Sequence, residues 1–313
     1  MKSKAIIVLL VVFTINTAVA EQFVTYDSGI CSFKLQDYKL SGEIEDAIVF
    51  GVCRIVDTYK EMFGFAFPDD FRVKVTIFGT QDGFKKYQIE QCGSVLSETG
   101  YFTSNHGEAV TWVNHSTEKM IGMVFHEISH RILAYQIPWC PTWVNEGMAE
   151  YFEGLKVIGP NKRVFLQQSC SNWCKHWVKN GFPMELKKYV SLSHEEWDKF
   201  REKDINAAYT IGYSLVYFML SHENNEKVLK ELLWEFKRQG KEAKSLKVIN
   251  DCYPGGVERF ERVWRKWIPR ARQYRALRAL RVEAEKQQKL AAAAIQKNDQ
   301  QPKDPNTPSS AGE

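Results

Sequence analysis

The chain has 313 residues, and about 290 remain after removal of the N-terminal leader described below, enough for one large domain or one domain with helical additions. The formal net charge is +4, and it falls to +2 when Lys2 and Lys4 leave with that leader, which contains no acidic residue. A chain so close to neutral argues against nucleic acid as a partner.

Residues 1–20 have the pattern of a secretory signal peptide. A basic start precedes an apolar core at residues 5–15, and a small-residue cleavage site ends at Ala20. This core is too short to span a bilayer, which needs about 20 apolar residues, and no later segment is apolar enough to do so. We therefore expect a secreted or periplasmic protein that is cleaved after Ala20 and has no transmembrane segment.

The spacing of apolar residues predicts an α+β chain with a strand-rich stretch up to about residue 113 and a mostly helical C-terminal half. An N-terminal extension (residues 21–40) precedes an amphipathic helix over residues 41–63, which begins at a serine cap. Further helices are expected at residues 195–201, 209–221, 225–239 and 257–270. Residues 241–297 are predicted to form a helical C-terminal extension, and the tail from 298 to 313 is expected to be disordered.

The most informative stretch is His126-Glu127-Ile128-Ser129-His130. Two histidines four residues apart lie one turn apart on the same face of a helix, so both rings can reach one ion. A glutamate between them is placed to polarise a metal-bound water, which is the arrangement of zinc proteases. Apolar residues recur at helical spacing around the motif, which predicts a half-buried helix with the motif between core and cleft.

A catalytic zinc ion normally has three protein ligands and a water, and Glu146 is the best candidate for the third ligand. It lies at the start of a predicted second helix, after a loop that contains Pro138 and Pro141. Glu150 follows one turn later on the same face, where it could accept a hydrogen bond from the other nitrogen of a ligating histidine. The sequence thus predicts one Zn2+ per chain.

At these residues the chain resembles the gluzincin metallopeptidases, and among them the peptidase MA-like domains. The signature of those domains, Trp-x-x-Glu-Gly-x-Ala-Glu-Tyr, is matched at residues 143–151. The resemblance implies a zincin-like domain over residues 41–240 whose strands form a small mixed sheet, with His126, His130 and Glu146 as zinc ligands and Glu127 as general base and acid. A looser likeness covers a strand at 73–78, a short helix at 82–87 and a hairpin at 99–102 and 109–113.

The resemblance also favours an endopeptidase that acts on a peptide or protein substrate. Fifteen residues separate His130 from Glu146, fewer than in the aminopeptidase branch of gluzincins, and the segment with which that branch binds a free amino terminus is missing. Gluzincins often donate a hydrogen bond to the developing oxyanion from a Tyr or His beyond the third ligand. Tyr209 matches this position best, Tyr213 is its rival, and a buried core tyrosine is an equal alternative for either. The segment 101–112 could bind an extended substrate as an added strand.

All seven cysteines follow the leader, which in an exported protein suggests up to three disulfides and one remaining thiol. They are Cys31, Cys53, Cys92, Cys140, Cys170, Cys174 and Cys252. Cys170, Cys174 and His176 could be imagined as a second metal cluster, but a disulfide or two structural thiols is preferred because no fourth ligand is near.

Two surface features and the choice of function stay open at this stage. Asn114-His115-Ser116 is a glycosylation sequon if the host is eukaryotic. The arginine-rich stretch from Arg259 to Arg281 is interpreted as a solvated helix face in preference to a binding patch.

An exported zinc endopeptidase is the preferred function. The alternatives are a non-catalytic envelope or cell-surface binding protein on a zincin scaffold, and a zinc hydrolase of a non-peptide amide or ester.

Overall fold

The computed structural model describes residues 23–114, 116–158, 161–164 and 167–271. The predicted signal peptide and the tail from 298 to 313 lie outside these residues, as do the last part of the predicted C-terminal extension and the middle residue of the sequon, His115.

A five-stranded mixed sheet occupies the first half of the chain, with the strand order β1-β2-β3-β5-β4. Its strands are β1 (Val24–Ser28), β2 (Cys31–Gln36), β3 (Val73–Phe78), β4 (Gly100–Thr103) and β5 (Glu108–Trp112). The three central strands β2, β3 and β5 are parallel, whereas β1 and β4 run antiparallel to their neighbours. Strand β4 therefore forms one edge of the described sheet.

The segment predicted as an N-terminal extension, residues 21–40, contains two strands in its described part. Strands β1 and β2 are two of the five strands, and β2 pairs in parallel with β3. Alternate β2 residues Cys31, Phe33 and Leu35 are buried in the main core. Their burial depends on pairing with a strand about forty residues later, which a local sequence pattern does not reveal.

The helices cover both faces of the sheet and build the rest of the molecule. They are α1 (Gly42–Phe63), α2 (Gln81–Cys92), α3 (Thr117–Gln136), α4 (Thr142–Glu153), α5 (Gln168–Asn180), α6 (Leu186–Tyr189), α7 (His194–Lys203), α8 (Ile205–Met219), α9 (Glu223–Gln239), α10 (Ser245–Cys252) and α11 (Gly256–Trp267). Short 3-10 segments follow at Gly240–Glu242 and Ile268–Arg270, and a small hairpin joins β6 (Leu155–Ile158) to β7 (Asn161–Val164).

The two faces of the sheet are buried in different clusters. Val73, Val75 and Ile77 of β3 belong to the main core with α1 and α3, whereas Phe78 belongs to a smaller cluster with Phe84 of α2. This division follows the alternation of side chains along a strand. The prediction of a strand at 73–78, a short helix, a hairpin and the capped helix over 41–63 is confirmed, and Ser41 is the N-cap.

The C-terminal half is built around α8, which is buried along nearly its whole length. Helices α4, α9 and α11 surround it, and the indole of Trp264 in α11 donates a hydrogen bond to Ser214 of α8 at 3.0 Å. In the described part of the predicted C-terminal extension, Ile249, Val257 and Trp264 are buried in the same core. The sequence does not predict α5, α6 or the β6–β7 hairpin, and it does not give the bounds of α10.

The expected disulfides are not found. No two of the seven cysteines come within disulfide distance. They are spread over β2, α1, α2, the α3–α4 loop, α5 and α10, and these elements do not bring any two sulfur atoms to bonding distance. In the described part of the chain, no helix is both long enough and apolar enough to cross a membrane.

Candidate metal centre

Helix α3 carries the two histidines and is fixed at both ends by its sequence. Ser116 caps its N-terminus by accepting a hydrogen bond from the backbone of Lys119 at 3.2 Å. The helix ends before Ile137, since Pro138 follows and the residue before a proline disfavours helical geometry. Its apolar side is buried against α1, where the hydroxyls of Tyr59 and Ser129 lie 3.1 Å apart. This anchoring leaves His126 and Glu127 in the wall of the site, 8% and 4% exposed.

Helix α4 packs on α3 and brings Glu146 to the two histidines. The Nε2 atom of His126 lies 3.8 Å from Oε2 of Glu146, and the Nε2 atom of His130 lies 3.7 Å from the same oxygen. Two donor atoms that are each about 2.1 Å from one zinc ion are at most about 4.2 Å apart, and both distances meet this limit. The three predicted ligands are therefore close enough to hold a metal ion, and their nitrogen and oxygen donors suit zinc.

Glu146 is held in place by a close approach of two helix backbones. A Cβ atom at Gly147 would lie 2.6 Å from the carbonyl oxygen of Gly212 in α8, and one at Gly212 would lie 2.8 Å from the carbonyl oxygen of Trp143. Only glycine fits at such a contact. Helix α4 is thus seated directly against the central helix, which fixes the direction of the neighbouring Glu146 side chain.

The residue that contacts the other nitrogen of His126 is Glu153, which the sequence reasoning did not identify. Nδ1 of His126 lies 3.1 Å from Oε2 of Glu153, whereas the predicted partner, Glu150, is 4.0 Å away. Glu150 instead accepts a hydrogen bond from the side-chain amide of Gln167 at 3.2 Å. Glu153 lies two turns after Glu146 on the same helix, and this spacing is a signal that could have revealed it.

A glycine on α3 gives Glu153 the space to reach His126. Gly122 is one turn before His126, and a Cβ atom there would lie 3.1 Å from the backbone oxygen and 3.3 Å from Cγ of Glu153. A larger residue would press on the base of the Glu153 side chain. The pair Gly122 and Glu153 therefore belongs to the architecture of the site.

Burial and crowded charge perturb the ionisable groups. Burial raises the pKa of Glu127 to about 8, with Glu146 and Glu153 adding to the effect and His126 opposing it. Burial also raises the pKa of Glu150. For His126 burial acts to lower the pKa, but the hydrogen bond to Glu153 and the charges of the nearby glutamates raise it to about 10. These shifts are what a cluster of buried carboxylates produces, and a cation bound among them would be stabilised by the same charges.

Burial lowers the pKa of His130, although the charge of Glu146 acts in the opposite direction. The net shift is therefore downward for His130, whereas it is upward for His126. The Nδ1 atom of His130 is buried and has no hydrogen-bond partner among the described residues. The side chain of Asn145 is near enough to raise the pKa of His130 but does not meet hydrogen-bond geometry with Nδ1. A neutral His130 presents an unprotonated nitrogen, which is the form that binds a metal.

The two candidate tyrosines have different surroundings. Tyr213 is 1% exposed, and its hydroxyl accepts a hydrogen bond from the backbone N–H of Gln167 at 2.8 Å, which identifies a structural role. Tyr209 is half-buried at the start of α8, with its ring edge-on to Trp197. Burial and then the charge of Glu146 raise its pKa. Of the two, Tyr209 is the less buried, and the side chain of Arg201 acts in the opposite direction on its pKa.

Within the segment 101–112, only β4 offers an open side for a substrate. Strand β5 lies between β3 and β4, and the indole of Trp112 donates to the backbone oxygen of Glu98 at 2.8 Å. At the start of β4, a Cβ atom on Gly100 would lie 3.2 Å from Oε1 of Glu127. The edge strand thus begins beside the carboxylate of Glu127.

Cys170, Cys174 and His176 do not form a second metal cluster. The groups of the described chain that could hold an ion all include His126, paired either with His130 and Glu146 or with Glu150 and Glu153. Cys170 and Cys174 are buried, and burial raises the pKa of Cys170 to about 11 and that of Cys174 to about 12. Both behave as structural thiols.

The chain matches no protein-family model and no curated protein sequence. The functional interpretation therefore rests on the residues and distances given above. They define a buried site with two histidines, a carboxylate that contacts both, and a further glutamate between the histidines.

Proposed function

We propose that the protein is an exported zinc-dependent metallopeptidase of the gluzincin type, with His126, His130 and Glu146 as ligands of one zinc ion. The observation that supports this most directly is the convergence of both Nε2 atoms on one oxygen of Glu146, at 3.8 and 3.7 Å. The mixed sheet with the histidine helix packed on it and a helical second half agrees with a zincin-like domain.

Glu127 is the general base of the proposed reaction. A zinc ion at this site would polarise the scissile carbonyl and make a bound water more acidic. Glu127 takes the proton of the attacking water and returns it to the leaving amine. Its burial supports this role, since a buried carboxylate is a stronger base than an exposed one.

Tyr209 and β4 complete the proposal. The Tyr209 hydroxyl donates a hydrogen bond to the oxyanion that forms on the substrate carbonyl. An extended peptide adds to the open edge of β4 and is bound through its backbone, which suits an endopeptidase. Gly100 allows this edge to approach Met123 and Glu127, since a Cβ atom there would lie 2.4 Å from Cγ of Met123 and 3.2 Å from Oε1 of Glu127.

The first test is the zinc content of the mature chain, residues 21–313, measured beside His130→Ala. We expect one zinc ion per chain, which disappears in the variant. A mature chain without metal, or a metal that survives the substitution, contradicts the proposed site.

The second test separates the catalytic proposal from its alternatives. Glu127→Gln should retain zinc and lose peptide hydrolysis, because the amide cannot accept the proton of the water. If the parent protein does not hydrolyse peptides but cleaves esters or other amides, it is a zinc hydrolase of non-peptide substrates. If Glu127→Gln changes no measured property, the protein is a binding protein on the same scaffold.

A further inference from the structure

A groove at the far end of α8 has an apolar floor and a basic rim. It encloses about 600 Å3 between the first turns of α9 and the face of α11. Phe218 and Trp267 form part of its floor and are almost fully buried. Phe218 is six residues beyond Gly212, or about 9 Å of helix rise further from the contact that seats Glu146. The groove is therefore a separate feature from the metal centre.

Four exposed cationic side chains line this groove: Lys227, Arg259, Lys266 and Arg270. The last three recur at helical spacing along α11 and the 3-10 turn that follows, so they share one face. Lys227 contributes from α9 on the opposite side. No carboxylate is among the described residues that line the groove. The local charge is therefore strongly positive, although the chain as a whole is nearly neutral.

None of the four cations forms an ion pair with a carboxylate of the described residues. The acidic residues of α11 are engaged on its other faces, where Glu261 pairs with Arg265 and Glu258 with Lys187. Arg238 of α9 and Arg265 of α11 are thus paired with glutamates, whereas the four cations that face the groove are not. A set of unpaired cations around a cavity favours a bound anion, because its charge offsets their mutual repulsion.

The N-terminus of α9 adds to this potential. Asn224 and Asn225 of its first turn line the groove, and His222 caps the helix. The N-terminal turn of a helix carries partial positive charge and backbone N–H groups that suit an anion. This contribution supports the site that the four side chains and the cavity define.

We propose that this groove binds a phosphate group joined to an apolar moiety. Two arginines and two lysines suit an anion of more than one charge, and arginine forks match phosphate oxygens in pairs. The buried aromatic floor suits an apolar part beside the phosphate, and a volume of about 600 Å3 is within the range of small-molecule sites. The source is either a phospholipid headgroup or a soluble phosphate ester. This proposal does not depend on the proposed peptidase function.

The test uses the mature chain and dihexanoyl phosphatidic acid below its micelle concentration, with binding measured by titration calorimetry. The groove variant is Lys227→Gln with Lys266→Gln. The control is Lys230→Gln with Arg262→Gln, which removes the same charge from the same two helices outside the groove. We expect saturable binding that weakens by about tenfold or more in the groove variant, through loss of charge-assisted hydrogen bonds, and stays within about twofold in the control.

Several results would overturn the proposal. Absence of binding, an equal loss in both variants, or equal affinity for dihexanoyl phosphatidylcholine would each refute a specific site for an anionic phosphate. If inorganic phosphate bound as tightly as the lipid, the apolar moiety would contribute nothing to binding, and that part of the proposal would be refuted. His130→Ala should bind the lipid as the parent does, so a failure of the metal site and a failure of the groove are told apart.

Vesicles of phosphatidylcholine, with and without phosphatidic acid, distinguish the two sources. Sedimentation with the acidic vesicles that is lost in the groove variant and kept in the control identifies a lipid headgroup at a membrane surface. Binding of the short-chain lipid without sedimentation identifies a soluble phosphate ester.

Discussion

Nδ1 of His126 lies 3.1 Å from a carboxylate oxygen of Glu153, a residue on the adjacent helix. A contact of this kind fixes the orientation and tautomer of a ligating histidine and makes its other nitrogen a better ligand. In the proposed zinc site, the helix with Glu146 would thus serve at two points, through a ligand and through a residue that orients another ligand.

Replacement of Glu153 by alanine should weaken zinc binding about 10- to 100-fold, the usual cost of losing such a partner. Glu150→Ala should have the smaller effect, because Oε1 of Glu150 is 4.0 Å from Nδ1 of His126 and the carboxylate accepts a hydrogen bond from Gln167. Competition with a chelator of known affinity measures the zinc affinity of both variants. A larger loss for Glu150→Ala than for Glu153→Ala would contradict the assignment.

The two tyrosines of α8 should separate stability from catalysis. Tyr213→Phe removes the acceptor for the backbone N–H of Gln167 and should lower the free energy of unfolding by about 1–3 kcal/mol. Tyr209→Phe should leave stability nearly unchanged and lower kcat with little change in KM. The reason is that the proposed hydrogen bond from the Tyr209 hydroxyl to the oxyanion would form only in the transition state. Denaturant unfolding and steady-state kinetics on both variants provide the check. Unchanged kcat in Tyr209→Phe would remove this residue from the mechanism.

Gly147→Ala should destabilise the protein by about 1–3 kcal/mol, because its methyl group would meet the Gly212 backbone, which cannot move aside easily. Zinc affinity should fall as well, since Glu146 is the adjacent residue. Gly42→Ala is the matched control: it is also a helical glycine, but a Cβ atom there has no neighbour within 4 Å. Its stability should stay within about 1 kcal/mol of the parent, on the stabilising side. Equal thermal unfolding of the two variants would contradict the close contact of α4 and α8.

The cysteines give a pH-dependent test of the fold. Burial raises the pKa of Cys31 and of Cys174 to about 12, whereas Cys252 is exposed. The thiolate is the reactive form, so a raised pKa means that at pH 8 only roughly one molecule in 10,000 is reactive at each buried position. Ellman's reagent should label Cys252 in the native protein, faster as pH rises from 7 to 9, and should not label Cys31 or Cys174. Cys252→Ser is the control, because the labelling assigned to Cys252 should disappear in this variant.

Unfolding without reductant extends the same measurement to disulfides. All seven thiols should become reactive, because no pair of cysteines lies at disulfide distance in the folded chain. A count of five or fewer would reveal a disulfide and would contradict this arrangement of the cysteines.

Much of the site follows from local sequence. Histidines four residues apart face the same side of any α-helix, and the loop that contains Pro138 and Pro141 separates that helix from the next before any tertiary contact is known. The same holds for the capped helix α1, whereas the order of strand, helix and hairpin that precedes α3 is expected from the family resemblance. The helical features depend on hydrogen bonds and side-chain spacing within a few residues, which a sequence displays directly.

Other features were decided by tertiary packing. Glu153 rather than Glu150 meets His126 because the crossing of α3 and α4, with Gly122 at the contact, sets which turn of α4 faces the imidazole. Strand β2 joins the sheet by parallel pairing with a distant β3, and four of the many basic residues face one groove only because α11 folds back on α8 and α9. The sequence by itself determined the residue types and the helix that carry the candidate chemistry. The tertiary structure decided which side chains meet, since contacts between distant elements depend on how helices cross and strands pair rather than on local periodicity.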